Sequence, residues 1–154
     1  MPLDLGDSVP NTKLPSSSGK EVALTDFKGK KIVLYFYPKD NTTGCTAEAC
    51  DFRDATKAYT KLNAVIVGVS KDSLKSHSNF ISKYQLPFEL LADENAELLE
   101  AFGVWKEKSM YGRKYMGVER STFLIDEKGE IVQVWRKVSV KDHAKAVLEE
   151  IAKL

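Results

Sequence analysis

The sequence predicts an α/β domain: a mixed central sheet flanked by helices, with a β-hairpin extension at the N-terminus. Three observations carry this expectation. "KIVLYFY" (31–37) and "AVIVGVS" (64–70) are unbroken runs of β-branched and aromatic residues, the pattern of strands buried on both faces. Helical patterns alternate with these runs, which implies parallel strands joined by crossovers. The last third switches to two short strand patterns around "EKGE" and a closing helix, which adds antiparallel pairing to the sheet.

In chain order, the first 30 residues are punctuated by Pro10, Pro15, Gly19 and Gly29, and "NTKL" and "EVALT" around "PSSSGK" read as the hairpin. Pro38 ends the strand 31–37, because proline cannot donate to a central ladder. From Thr43 to Leu62 the period turns helical, with Ala47, Cys50, Phe52 and Ala55 as the expected inward stripe. "DSLKSHSNFISKYQ" forms a second helix, ended by Leu86-Pro87. "FELLAD" (88–93) is a third strand, and "ENAELLEAFG" a helix that stops at Gly103. "VWKEKSMYGRKYMGVE", polar and aromatic with two glycines, reads as a long loop or irregular hairpin. "STFLID" and "IVQVW" pair around "EKGE", and an amphipathic helix runs from Val140 to Leu154. A β-α-β half followed by a β-β-α half, with extra strands ahead of it, is the thioredoxin arrangement.

Typical domains run to about 100–200 residues, so residues 1–154 read as one domain. A chain of this size buries roughly 70% of the surface its unfolded form exposes and needs no disulfide or metal staple. Two cysteines are too few for a disulfide framework, which leaves chemistry or packing as their use. A net charge of +1, from 23 basic and 22 acidic residues, and the lack of a long basic block argue against electrostatic capture of nucleic acid. The longest apolar run, "IVLYFY", is too short to cross a bilayer. "MPLDLGDSVP" has neither the basic nor the apolar region of a signal peptide. The expected setting is therefore cytoplasmic, where thiols stay reduced, or an organelle if a transit peptide has been trimmed.

The chemistry concentrates in "YFYPKDNTTGCTAEACDF", which holds both cysteines, Cys45 and Cys50. The loop after strand 31–37 lies at the carboxyl end of the sheet, where open α/β folds bind ligands. It feeds straight into a helix, so Cys45 falls in the first turn. There the free backbone N–H groups and the helix dipole favour a thiolate over a thiol. Thr42 or Thr43 can cap the helix, leaving the other hydroxyl to face a substrate. Gly44 permits close approach beside the sulfur, and Pro38 stiffens the loop. Cysteine is also a common buried hydrophobe, and Cys50, on the apolar stripe, fits that reading when taken alone. Spacing by itself yields a reactive thiol with no assigned reaction. His77 and His143 are expected to be solvated on surface helices, without ligand spacing to the cysteines. Trp105 and Trp135 read as packing residues, and Asp51, Arg53 and Asp54 as a solvated helix face. "KEKSMYGRKYMG" is basic with interleaved tyrosines, but the balanced charge elsewhere disfavours RNA contact.

"YFYPKDNTTGCTAEACDFRD" resembles the active-site segment of peroxiredoxins, whose motif Pro-x-x-x-Thr/Ser-x-x-Cys is filled by Pro38, Thr42 and Cys45. The resemblance continues through "GVWKEKSMYGRKYMGVERSTFLID" and covers nearly the whole chain. The second cysteine five residues on is similar to the bacterioferritin-comigratory, or PrxQ-like, subfamily. The resemblance implies a thiol peroxidase acting on hydrogen peroxide and organic hydroperoxides. Cys45 would be the peroxidatic thiolate, and Thr42, the Cys45 amide and Arg120 would hold the peroxide. Cys50 would resolve the sulfenic acid as an intramolecular disulfide, re-reduced by thioredoxin or a similar dithiol. No metal, organic cofactor, nucleic acid or membrane is implied. A monomer suffices, and a weak dimer is allowed. Thr43 stands where many relatives carry proline, which loosens the loop by under about 1 kcal/mol. The competing readings are a thioredoxin-type thiol–disulfide oxidoreductase and a non-enzymatic redox sensor on the same fold.

Five residues of α-helix rise about 7.5 Å and place the two Cα atoms about 8.6 Å apart. A disulfide needs roughly 4.4–6.8 Å, so Cys45 and Cys50 cannot both stay helical and bond. The expectation is a helix that unwinds in its first turns once Cys45 is oxidised.

Overall fold

The computed structural model describes residues 2–154. Near the N-terminus β1 (Leu14–Pro15) pairs antiparallel with β2 (Glu21–Val22). This hairpin is shorter than "EVALT" suggests, because Leu24–Phe27 closes into a 3₁₀ turn whose Asp26 carboxylate accepts the Ala23 N–H at 2.9 Å. The chain then alternates as expected through β3 (Lys31–Phe36), α1 (Thr43–Lys61), β4 (Ala64–Ser70), α2 (Leu74–Tyr84), β5 (Glu89–Ala92) and α3 (Glu97–Ala101). A hairpin of β6 (Trp105–Met110) and β7 (Arg113–Val118) precedes β8 (Ser121–Ile125), β9 (Ile131–Trp135) and α4 (His143–Ala152).

The central sheet has the order β5-β4-β3-β8-β9. β3 runs parallel to β4, and β4 to β5, while β8 is antiparallel to both β3 and β9. Side chains of β3 alternate between two cores, as the two-residue period of a strand dictates. Ile32, Leu34 and Phe36 pack with Leu98, Leu99 and Phe102 around α3. Val33 and Tyr35, with Tyr37 just beyond the strand, pack with Phe52 and Tyr59 of α1, Phe80 of α2 and Val147 of α4. The sheet is thus mixed, covered by helices on both faces, and thioredoxin-like. Among the described residues no helix is long and apolar enough to cross a membrane.

Three expectations change. Residues 105–118 form a hairpin with a regular ladder of six pairs, so of the two expected forms the hairpin holds but its irregularity does not. Its turn places Tyr111 at φ 52° and Gly112 at φ 77°, the left-handed pair that a two-residue hairpin turn requires. Both strands are largely exposed, so no apolar alternation marks them in the sequence. The last helix begins at His143, because Asp142 at φ 61° turns the chain first. On α1 the buried stripe is Cys45, Glu48, Ala49, Phe52 and Tyr59, while Ala47 is exposed and Cys50 and Ala55 are half-buried. The helical phase is set by Cys45, and a glutamate lies in the stripe where an apolar residue is expected.

Candidate active site

The carboxyl end of β3, central in the sheet, delivers half-buried Pro38 and the loop 39–42 to the amino end of α1. Thr42 is the N-cap, and its carbonyl accepts the first helical bond from the Thr46 N–H at 2.8 Å. The amides of Thr43, Gly44 and Cys45 are consequently first-turn donors without intrahelical acceptors. Cys45 sits among them with only 1% of its surface exposed. The Thr42 hydroxyl does not cap the helix. It donates to the Lys39 carbonyl at 2.8 Å, which commits its proton and leaves the oxygen free to accept. Thr43 is exposed on the rim of the site.

Arg120 reaches this point from the link between β7 and β8, where its carbonyl accepts the Val138 N–H at 2.9 Å. Its guanidinium forks: Nη2 donates to Cys45 Sγ at 3.3 Å and Nη1 to Glu48 Oε1 at 2.6 Å. Gly44 makes room for the fork, since a Cβ there would stand 3.2 Å from Arg120 Nη2. Burial works against the Arg120 charge, but Glu48 and Cys45 outweigh it and hold the group above its ordinary range. Burial likewise pushes the Glu48 carboxyl up to about 7, with the Arg120 charge and hydrogen bond opposing. Beneath lies Tyr35, fully buried, whose phenol is raised by burial and by the nearby Glu48 and Cys45. Among the described residues the Tyr35 hydroxyl and Glu48 Oε2 find no hydrogen-bond partner.

The fold therefore gathers Cys45, Arg120, Pro38 and Thr42 at one sheet end, although Arg120 is 75 positions from Cys45 in sequence. Cys50, half-buried, follows on the same unbroken helix, and both cysteines are free thiols. At ideal helical geometry their Cα atoms lie about 8.6 Å apart, beyond disulfide reach.

Sequence reading missed the polar residues behind the site. Glu48 is three residues from Cys45 and four from Phe52, so helical phase points it inward, but its charge disguises it as a surface residue. His77 and His143 are buried, contrary to expectation. His77 shares an inner face with Phe80 at i+3, and its ring nitrogens face Asp40 Oδ2 at 2.7 Å and the Leu91 carbonyl at 2.9 Å. His143 lies edge-on to Phe52 and Trp135 and meets Thr122 Oγ1 at 2.8 Å. Burial, then the Arg120 charge, lowers His143 to about 4, so it is neutral near pH 7. Trp105 and Trp135 pack against the two cores as expected.

Comparison with known proteins agrees with this geometry. Residues 5–134 match the AhpC/TSA family. The Bacillus subtilis protein named Peroxiredoxin Bcp is 52% identical over 151 residues, covering 98% of this chain and 96% of its own. A solved structure of Xanthomonas campestris Peroxiredoxin Q superposes with a TM-score of 0.91 at 45% identity, covering 98% of this chain and 96% of that one. A structure of the bacterioferritin comigratory protein from the same organism, described for its alkyl peroxide reduction activity, gives a TM-score of 0.90 at 44% identity, over 96% and 98% of the two chains.

Proposed function

The chain belongs to the AhpC/TSA family, among the bacterioferritin comigratory (PrxQ) peroxiredoxins, and is a thiol peroxidase; from that premise we propose that Cys45 is its peroxidatic residue and Cys50 its resolving residue. The observation that carries this reading is the Arg120 fork on Cys45 Sγ at the amino end of α1. A fixed cation and unpaired amides surround one sulfur, an arrangement suited to negative charge on that sulfur and on an attacked oxygen.

In the first step the Cys45 thiolate attacks the terminal, hydrogen-bearing oxygen of a hydroperoxide. An S–O bond forms, the O–O bond breaks, and the departing alkoxide or hydroxide takes up one proton. Sulfur is oxidised to a sulfenic acid and the peroxide is reduced to alcohol or water. Thr42 fits a positioning role: with its own proton given to Lys39, its oxygen accepts the peroxide O–H and turns that oxygen toward Sγ. Arg120 and the first-turn amides stabilise charge on the peroxide oxygens, and half-buried Pro38 shields the loop from water. In the second step the Cys50 thiol displaces water from the sulfenic acid and closes the disulfide, which requires the first turns of α1 to open. A protein dithiol such as thioredoxin then reduces the disulfide by exchange. Both cysteines lie on one chain, so the cycle needs no second copy.

A thioredoxin-type exchange protein is the weaker reading, since a dithiol working inside an intact helix needs its sulfurs closer than this spacing allows. The test is peroxide consumption with thioredoxin and its reductase, beside circular dichroism and a disulfide map after one equivalent of peroxide. Cys45→Ser is expected to abolish turnover. Cys50→Ser is expected to keep the first oxidation and lose thioredoxin-supported cycling. Turnover surviving in Cys45→Ser would overturn the assignment, and a Cys45–Cys50 disulfide formed without loss of helix would overturn the opening of α1.

A further inference from the structure

The loop ahead of Cys45 is held by α2, and the side chain at the centre of that hold is His77. Asp40 belongs to this loop, yet its carboxylate is buried and surrounded by donors. Tyr37 Oη donates to Oδ1 at 2.5 Å, while Ser76 Oγ donates to Oδ2 at 2.8 Å and His77 Nδ1 lies 2.7 Å from the same oxygen. The Leu91 carbonyl can only accept, so Nε2 is the ring nitrogen that donates to it, and Nδ1 faces Asp40 Oδ2. The Asp40 amide in turn donates to Asp72 Oδ2 at 2.8 Å, and Ser70 Oγ donates to that same oxygen at 2.6 Å. The next residue, Asn41, stands at φ 59°, in the left-handed region. Its Oδ1 accepts from Tyr84 Oη at 3.1 Å and Lys83 Nζ at 3.3 Å, both near the end of α2. Beyond the cysteines, Arg53 Nη1 donates to the Tyr84 carbonyl at 2.8 Å. The same helix thus grips the chain on both sides of residues 42–52, the stretch that contains Cys45 and Cys50.

We propose that α2 is the fixed clamp of the catalytic segment and that His77, acting through Asp40, is the residue that positions the peroxidatic loop. This rests on the reading of Cys45 as the peroxidatic thiol. A buried carboxylate with three side-chain partners, one of them an imidazole also tied to a core strand, makes a rigid anchor for Asp40. Thr42 follows two residues later and Cys45 five. A loop free to move at Asp40 would misplace both against Arg120, and small misplacements are costly to a reaction that depends on alignment. The clamp also bounds the unwinding. Opening starts after Asn41 and ends before Arg53, so the disulfide forms while the rest of α1 stays packed.

The experiment pairs hydrogen exchange with stopped-flow oxidation of Cys45 by hydrogen peroxide. His77→Leu removes both ring contacts at similar volume and is expected to slow Cys45 oxidation about tenfold per folded molecule. His77→Gln, which can keep one contact, is expected to recover part of the rate. Asp40→Ala is expected to match His77→Leu, and the double variant to be no slower, since both remove one tether. In the reduced variants, the hydrogen-bonded amides of Asp40 and Thr46 lose protection while β4 and β5 keep theirs, a readout that needs no peroxide chemistry. In the oxidised wild type, new exchange is confined to 42–52. An unchanged oxidation rate in folded His77→Leu, additive effects of the two substitutions, or exchange spreading past Arg53 would overturn the clamp. Should His77→Leu not fold, Ser76→Ala removes one donor from the half-buried rim of the helix and is expected to slow oxidation two- to threefold, with no change refuting the proposal. Failure of wild-type Cys45 to react with peroxide would instead overturn its peroxidatic role, leaving the reduced-state exchange to judge the tether.

Discussion

Glu48 gives a quantitative test of the site's electrostatics through Glu48→Gln. The substitution keeps the shape and the acceptor oxygen that faces Arg120 Nη1, and removes only the ionisation. Burial moves this carboxyl from its ordinary 4.5 to about 7. At roughly 1.4 kcal/mol per pH unit, this corresponds to about 3 kcal/mol, and the near-complete burial of the side chain leaves little solvent screening to reduce it. Folded Glu48 binds its proton more tightly than unfolded Glu48. Its contribution to stability is therefore full below pH 4.5 and is lost as pH rises through about 7. His143, lowered to about 4, acts in the opposite sense: its contribution is full above 6.5 and falls away as pH drops through about 4. The clean quantity is the difference between variant and wild type, in which His143 and the other groups cancel. Urea unfolding of both reduced proteins from pH 5 to pH 8 measures it. Glu48→Gln is expected to gain on wild type by about 2–3 kcal/mol across that range, a relative midpoint shift of about 1–2 M urea. A difference constant to about 0.5 kcal/mol, or one shrinking as pH rises, would refute the burial argument.

Two further substitutions probe the packing around the fork. Gly44→Ala places a Cβ 3.2 Å from Arg120 Nη2 and forces the guanidinium off Cys45 by a few tenths of an ångström. Losing part of a charge-assisted hydrogen bond worth about 1–2 kcal/mol is expected to slow Cys45 oxidation roughly five- to tenfold, with thermal stability nearly unchanged; stopped-flow oxidation and a melting curve check the two halves. Gly68→Ala, in β4, sets a Cβ 2.7 Å from Leu90 Cδ2 and 2.9 Å from Tyr35 Cζ. Overpacking there is expected to cost about 1–3 kcal/mol in urea unfolding, and a neutral result would mean that the Tyr35 ring moves freely under the site.

The elements with a clear apolar period were legible in the sequence. β3 and β4 are read from unbroken apolar runs because both of their faces are covered, and α1 from a helical pattern nineteen residues long. The β6–β7 hairpin was not, since neither face is buried and its turn is Tyr-Gly, without the Asn or Asp that usually signals a left-handed pair. The site divides in the same way. Pro38, Thr42 and Cys45 are local, seven residues apart end to end, and their order along a strand–loop–helix gives their chemistry. Their partners are not local. Glu48 and His77 look like surface residues in the chain because charged and polar side chains normally are.

What the sequence determined by itself was the alternation of strands and helices, the placing of a cysteine in the first turn of a helix at a sheet end, and a spacing too wide for a disulfide in that helix. These follow from short-range periodicity and from the fixed rise of an α-helix. What only the tertiary structure decided was which polar groups could afford to be buried. Glu48 is tolerated inside because Arg120 arrives from the link between β7 and β8, and His77 because Asp40 and the Leu91 carbonyl meet its two nitrogens. Burying a polar group is unfavourable until its partners are present, and those partners are brought together by the fold and not by the neighbouring sequence.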